Sequence, residues 1–191
     1  MITYPSIKRG IDVIISSGLL VLLIPLFTAI GIMIKLDSKG RVFFQQQRVG
    51  KDGKLFVIYK FRSMVADAPS LGAEYTSQND PRITRMGRWL RITSLDELPQ
   101  IINVLKGDMS LVGPRPNTPS QEKQYRSDAW SKRHSVRPGI TGLAQVAGRS
   151  NLTSEEQVTY DIDYIDHLSF AMDWRILYKT IGIALSGRGV N

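Results

Sequence analysis

The chain contains no cysteine, only two histidines, and no charged side chain anywhere between Asp12 and Lys35. Each absence excludes something. Without cysteine there can be no disulfide and no thiolate zinc site, and the composition fits a reducing compartment. His134 and His167 lie far apart, so no histidine-built metal centre is expected, and each reads as an ordinary core or surface residue. The charge-free stretch, Val13 to Ile34, is about 22 residues long, and a helix needs roughly 20 apolar residues to cross a bilayer. That gap places the chain in a membrane and leaves Asp37 to Asn191 as a domain held at its surface. Internal repeats and low-complexity tracts are also missing, and no second soluble domain is needed.

What is present is basic. The net charge of +8 over 191 residues suits anionic headgroups, phosphorylated substrates or nucleic acid. No aromatic-rich nucleic-acid motif accompanies it, so nucleic acid is not an expected partner. After the apolar segment, about 150 residues remain, enough for one domain with a real core. Lys8 and Arg9 precede the segment, and Lys35, Lys39 and Arg41 follow it. The run is longer than the apolar core of a signal peptide, and no small-residue cleavage site follows. Positive charge prefers the cytoplasmic side, and here both flanks claim it. A spanning helix would put one cluster outside. A helix that enters, bends at Pro25 and returns keeps both inside, because proline deletes a helix hydrogen bond and clashes with the carbonyl of Val21. Gly18 and Gly31 allow close packing on either side, and the residues alone leave both topologies open.

Beyond the segment, Arg41–Arg48 and Leu55–Arg62 read as strands joined by Lys51-Asp-Gly-Lys54, a hairpin signal. Alternation puts Phe56, Ile58, Lys60 and Arg62 on one face, so the strand end should present two cations side by side. Ala66 to Arg82 reads as a long surface loop, followed by a short basic helix from Arg85 to Ile92. Leu98, Ile101, Ile102 and Leu105 recur at helical spacing, with Gly107 as the stop. A short strand at Ser110–Val112 runs into Gly113-Pro-Arg-Pro116, and a polar helix is expected near Ser120 to Arg126. Arg137 to Arg149 is glycine-rich, and Ser154 to His167 is helical and acidic. The last helix aligns Phe170, Trp174, Leu177, Ile181 and Leu185, a face that suits either a membrane surface or a core.

Chemistry concentrates at Asp96-Glu97. Ser94-Leu-Asp-Glu97 matches a capping box, in which Glu97 would return to the cap amide. Pro99 disfavours that register; either Asp96 is the cap, with the proline in the first turn, or the helix is kinked. Lys60, Arg62, Arg91, Arg115, Arg137 and Arg149 each sit beside a turn, a strand end or a proline. Arginine binds phosphate bidentately, and prolines flanking Arg115 restrict its backbone so that its fork can be aimed. Two carboxylates among fixed cations describe a site for a phosphorylated substrate with a divalent metal. Magnesium takes one or two carboxylates plus phosphate oxygens.

Five motifs in order, Tyr59-Lys-Phe-Arg-Ser-Met64, Ser94-Leu-Asp-Glu-Leu-Pro-Gln100, Leu105-Lys-Gly-Asp-Met-Ser110, Gly113-Pro-Arg-Pro116 and Arg137-Pro-Gly-Ile-Thr-Gly-Leu-Ala-Gln145, resemble the small monotopic phosphoglycosyl transferases, a bacterial sugar transferase family. The resemblance runs from Lys8 to about Asp173. It implies an α+β fold: a re-entrant membrane helix over residues 1–36, then a small, largely helical catalytic domain over 37–191 with a β-hairpin and interfacial amphipathic helices. It implies transfer of a sugar-1-phosphate from a UDP-sugar to polyprenyl (undecaprenyl) phosphate, on the cytoplasmic face of a bacterial inner membrane. Asp96 would be the nucleophile and a ligand of Mg2+, forming an aspartyl-phosphosugar and releasing UMP. Glu97 would orient the nucleophile or help position metal and acceptor. Arg115 would hold phosphate, with Lys60, Arg62, Arg91, Arg137 and Arg149 as further phosphate candidates. Larger members carry additional membrane helices and a domain in front, so the chain looks like the minimal catalytic form. Relatives often have serine before the bend proline, where this chain has Ile24, so the bend needs another stabilising group. A basic lipid- or nucleic-acid-binding module would explain the charge but not the acid pair. A non-catalytic partner of the same fold would not need Asp96 and Glu97 intact.

Overall fold

The computed structural model describes residues 4–68, 71, 80–148 and 152–186, and only the backbone of 184–186. The charge-free stretch lies within α1 (Tyr4–Asp37), a 34-residue helix that continues through Pro25. The hydroxyl of Thr28 donates to the carbonyl of Ile24 at 3.0 Å, a backbone-directed bond of the kind that bends helices. That bond goes to the Ile24 carbonyl and leaves the Val21 carbonyl, the one Pro25 frees, without a side-chain donor among the described residues.

Both ends of α1 close on the same folded domain. Near its start, Lys8 pairs with Asp173 at 2.7 Å, and Asp12 accepts from the Ser110 hydroxyl at 2.7 Å and the Leu111 amide at 3.2 Å. Near its end, Ile30 and Ile34 are buried against Phe61 and Leu90. Between those anchorages Val21, Leu22 and Ile24 are exposed, as lipid-facing residues would be.

The hairpin forms as expected from β1 (Phe43–Val49) and β2 (Leu55–Phe61), antiparallel, with Val49 opposite Leu55. Its connection turns through Asp52 (φ 56°) and Gly53 (φ 74°), the left-handed pair that an Asp-Gly step supplies. Then come α2 (Arg85–Ile92), capped by the Thr84 side chain, and α3 (Gln100–Lys106). A Met64–Ile83 bridge closes the base of the loop between β2 and α2, whose residues 69–70 and 72–79 lie outside the described set.

A second sheet was not foreseen. β3 (Ser110–Val112) and β4 (Gly139–Thr141) pair in parallel, Ser110 opposite Gly139. A Cβ on Gly139 would stand 2.1 Å from the Gly113 nitrogen, so the crossing of these backbones requires glycine. The polar helix expected at 120–126 is a 3-10 turn, Pro119–Gln124, followed by α4 (Ser127–Arg133). After β4 come α5 (Leu143–Ala147), α6 (Ser154–Asp166) and α7 (Phe170–Ser186).

The main core joins Ile58, Val104, Met109, Leu111, Val112, Tyr164 and Ile176, and a second cluster joins α1 to Phe61 and Leu90. β2 spans both. α7 buries Asp173 and Ile176, with Leu177 half-buried beside them, while Phe170, Trp174, Tyr178 and Ile181 are exposed. Leu177 thus leaves the aromatic face on which its spacing had put it, and that face is the surface face. In α3 the buried positions are Gln100, Ile101, Asn103 and Val104, so of the expected stripe Leu98, Ile101, Ile102 and Leu105 only Ile101 is buried, the others are half-buried, and the inward face is rotated. Asn103 accounts for the rotation. Its amide takes the Tyr59 N–H at 3.0 Å and gives to the Val57 carbonyl at 2.7 Å, standing in for a third strand along β2.

Candidate active site

Neither capping register forms. Ser94 is left-handed (φ 56°) and its side chain caps nothing, because that turn breaks the geometry a capping box needs. Asp96 is not a cap either: Leu95–Glu97 is a 3-10 turn, and α3 starts only after Pro99. A non-glycine residue held left-handed costs of order 1 kcal/mol or more, strain that gathers at functional sites. The strained turn carries both carboxylates, and they are partnered differently.

Glu97 is clamped. Lys60 Nζ donates to its Oε1 at 2.6 Å and Arg115 Nη2 to the same oxygen at 3.1 Å. Burial pushes the Glu97 carboxyl up, but the Lys60 ammonium and Arg115 guanidinium override it and hold the group well below the usual carboxylate range. The Asp96 carboxylate accepts no hydrogen bond from any described residue. Burial and the adjacent Glu97 charge push it up to about 6, against the opposing pull of Lys60, Arg91 and Arg115. The pair therefore divides into a fixed anion and an unengaged one. A cleft on the Glu97 side is lined by Arg48, Lys60, Glu97, Gln100, Arg115 and Pro116, and Asp96 is not part of its lining.

The six predicted cations do not stay together. Lys60 and Arg115 touch Glu97, and Arg91 on α2 is near enough for its charge to act on Asp96. Arg62 is not beside Lys60 in the site. It is buried, and its guanidinium donates to the carbonyls of Ser38 (2.8 Å) and Lys39 (2.5 Å), holding the end of α1. Strand alternation put both on one face, but each found a different acceptor there. Arg137 donates to the Gly107 carbonyl at 2.8 Å, at the far end of α3 from the acid pair. Arg9, not anticipated, binds the Val104 carbonyl at that same end, at 2.6 Å. Arg149 lies outside the described residues. Lys60 and Arg62 are two residues apart, about 7 Å along a strand. The clamp on Glu97 is thus a short step from the end of α1.

No group of three or more His, Cys, Asp or Glu among the described residues could hold a metal ion unaided. The His134 ring packs at a tilt against Trp130, with ring centres 4.2 Å apart, and contacts its carbonyl, and His167 pairs with Asp163 at 2.9 Å. A divalent cation at Asp96 would complete its shell with substrate oxygens, as magnesium does in phosphate sites.

The family model described as bacterial sugar transferase matches residues 3–187. A UDP-glucose:undecaprenyl-phosphate glucose-1-phosphate transferase of Escherichia coli (strain K12) is 42% identical over 182 residues, covering 92% of this chain and 39% of the relative. A UDP-N-acetylgalactosamine-undecaprenyl-phosphate N-acetylgalactosaminephosphotransferase of Aeromonas hydrophila is 42% identical over 191 residues, covering 97% of this chain and 45% of its own. The chain thus spans less than half the length of these two relatives. An exopolysaccharide production protein, PSS, of Rhizobium leguminosarum bv. phaseoli is 40% identical over 195 residues, covering 96% of this chain and 98% of the relative.

Proposed function

The chain belongs to the bacterial sugar transferase family, and from that premise we propose that it transfers a sugar-1-phosphate from a UDP-sugar to undecaprenyl phosphate through Asp96. The single observation that carries this reading is the division of the acid pair. Asp96 has an unengaged carboxylate in a field of cations, while its neighbour Glu97 is spent on holding two of those cations.

In the first displacement an Asp96 carboxylate oxygen attacks the phosphorus that bears the sugar. The bond from that phosphorus to the bridging oxygen breaks, and UMP leaves with the oxygen and its electron pair. In the second, a phosphate oxygen of undecaprenyl phosphate attacks the same phosphorus, and the aspartate departs as a carboxylate. Splitting the transfer means that the soluble donor and the lipid acceptor need not be bound together. Glu97 fixes Lys60 and Arg115 where they can meet phosphate oxygens, and Arg91 adds charge beside the nucleophile. Preorganised charge of this kind supplies most of the rate in phosphoryl transfer. Asp96 would also hold a magnesium ion, together with phosphate oxygens, and that ion would neutralise charge on the diphosphate.

A re-entrant α1 fits the way both of its ends pack on one domain, with exposed apolar residues between them. That arrangement would keep both flanks and the catalytic domain on the cytoplasmic face of a bacterial inner membrane. The exposed aromatic face of α7 suits the interface, and together they would set the acid pair at headgroup depth. The test is UMP release by the purified chain with undecaprenyl phosphate, magnesium, and UDP-glucose, UDP-galactose or UDP-N-acetylgalactosamine in turn. Acceptor-dependent UMP release with one of them is expected. No release with any UDP-sugar would reject the reading.

A further inference from the structure

We infer that Arg133, buried with Asp161 beneath the Pro114-Arg115-Pro116 turn, is a positioning residue that aims the Arg115 guanidinium at Glu97. The inference rests on the proposed role of the Asp96–Glu97 site.

Arg133 is 4% exposed and Asp161 1%. The Arg133 Nε donates to Asp161 Oδ2 at 2.6 Å, Nη1 to Asn117 Oδ1 and to the Tyr125 hydroxyl, and Nη2 to the backbone carbonyl of Arg115 at 3.0 Å. The two neighbouring carbonyls are also taken. That of Pro114 accepts from the Gly139 amide at 2.9 Å, and that of Pro116 from Arg48 Nη1 at 3.3 Å. With φ fixed at both prolines and all three carbonyls tied, the turn has no free hinge. Its one soft part is the Arg115 side chain, which is 55% exposed yet stands 3.1 Å from Glu97.

That last contact is the reason the turn must be held. Glu97 is largely buried but the Arg115 side chain is half exposed, so confining that long side chain to one direction costs rotamer entropy that its single 3.1 Å contact must offset. Arg115 therefore does not hold itself on Glu97 by that contact alone. A backbone already pointing the right way removes most of the cost, and Arg133 supplies the side-chain bond at the residue in question. Stability does not explain the buried pair equally well. A buried ion pair is often matched or bettered by apolar residues of similar volume, and Asp161 Oδ1 is buried with no hydrogen-bond partner. The contribution of Arg133 lies in direction.

The experiment uses the full chain in nanodiscs, comparing wild type with the R133M/D161L pair and with R133K. Three quantities are read: the melting temperature, the 15N NMR signal of the Arg115 Nε–H without substrate, and UMP release. The melting temperature of R133M/D161L should stay within a few degrees of wild type. Its Arg115 signal should move and broaden toward that of a free arginine, because the guanidinium no longer stands on Glu97. Its kcat should fall about a hundredfold, the order expected of a small misplacement in an active site. R133K keeps a charge for Asp161 but loses the planar fork, so it should fall between the two. In an Arg115→Ala background the R133M/D161L change should cost less than about threefold, since its effect runs through Arg115. A collapse of melting temperature, an unmoved Arg115 signal, or a full hundredfold loss without Arg115 would each overturn the inference. Because the Arg115 signal needs no substrate, it tests the positioning even if no UDP-sugar is turned over, an outcome that would reject only the proposed reaction.

Discussion

The two ends of α3 are both crowded with cations, and they use them in opposite ways. Beyond the C-terminal end, Arg9 and Arg137 are spent on the carbonyls of Val104, Leu105 and Gly107, where positive charge complements the helix terminus. Before the N-terminal end, Lys60 and Arg115 are spent on a carboxylate that is itself held in place, while Asp96 beside it is left unengaged. Basic residues at both ends look alike in the sequence. What separates scaffold from site is the acceptor: backbone carbonyls consume an arginine's donors for structure, whereas a fixed carboxylate holds a cation in place for a substrate.

The largest effect that can break this comparison is at the acid pair. Asp96→Asn should lower UMP release by at least about 10⁴-fold, as removal of a nucleophile does, whereas Glu97→Gln should cost roughly a hundredfold by loosening Lys60 and Arg115. Steady-state rates of the two variants measure this, and a reversed order would exchange the roles of the carboxylates. Next is the contrast between cations. Arg115→Ala should reduce kcat about a hundredfold with little change in melting temperature. Arg62→Ala, which takes the side-chain donor from the Ser38 and Lys39 carbonyls just beyond α1, should instead cost about 2–3 kcal/mol of stability. Denaturation and kinetics on the same samples separate the two, and an Arg62→Ala protein of full stability but no activity would return Arg62 to the site.

A smaller effect comes from pH. Burial and the Glu97 charge favour the protonated form of Asp96 and put its carboxyl at about 6, while attack requires the ionised form. The rate of UMP release should therefore be flat above that value and fall about tenfold per pH unit below it. An acid limb that begins only near the ordinary aspartate range, around pH 4, would contradict the environment described. Topology has the smallest kinetic consequence and a clear readout. With no native cysteine, Ser6→Cys and Lys39→Cys each carry the only thiol. In intact cells an impermeant maleimide should miss both, and opening the membrane should expose both. Labelling at residue 6 from outside would make α1 a spanning helix.

Much of this was legible in the sequence because it depends on local pattern. A charge-free run, an Asp-Gly turn between alternating strands, and an arginine between two prolines each constrain the backbone within a few residues. The misreadings share the opposite property. Ser94 to Glu97 has the letters of a capping box, but a left-handed Ser94 changes its geometry, and nothing in those four residues announces the turn. Arg62 and Arg137 were read by charge and neighbours, while their roles depend on carbonyls brought near by folding. Asn103 serving as a strand edge and Arg133 reaching Asp161, 28 positions away, are likewise visible only once the elements are packed. Two three-residue strands pairing in parallel through glycines leave almost no periodic signal.

The central claim is that the unengaged carboxylate, not the clamped one, carries the sugar phosphate. It is tested most directly by incubating the chain with its UDP-sugar and magnesium but no acceptor, then mapping the adduct by peptide mass spectrometry at low temperature. The account predicts one added phosphosugar on Asp96, lost on adding undecaprenyl phosphate and absent from Asp96→Asn. An adduct on Glu97, or full turnover with no adduct on either residue, would contradict it.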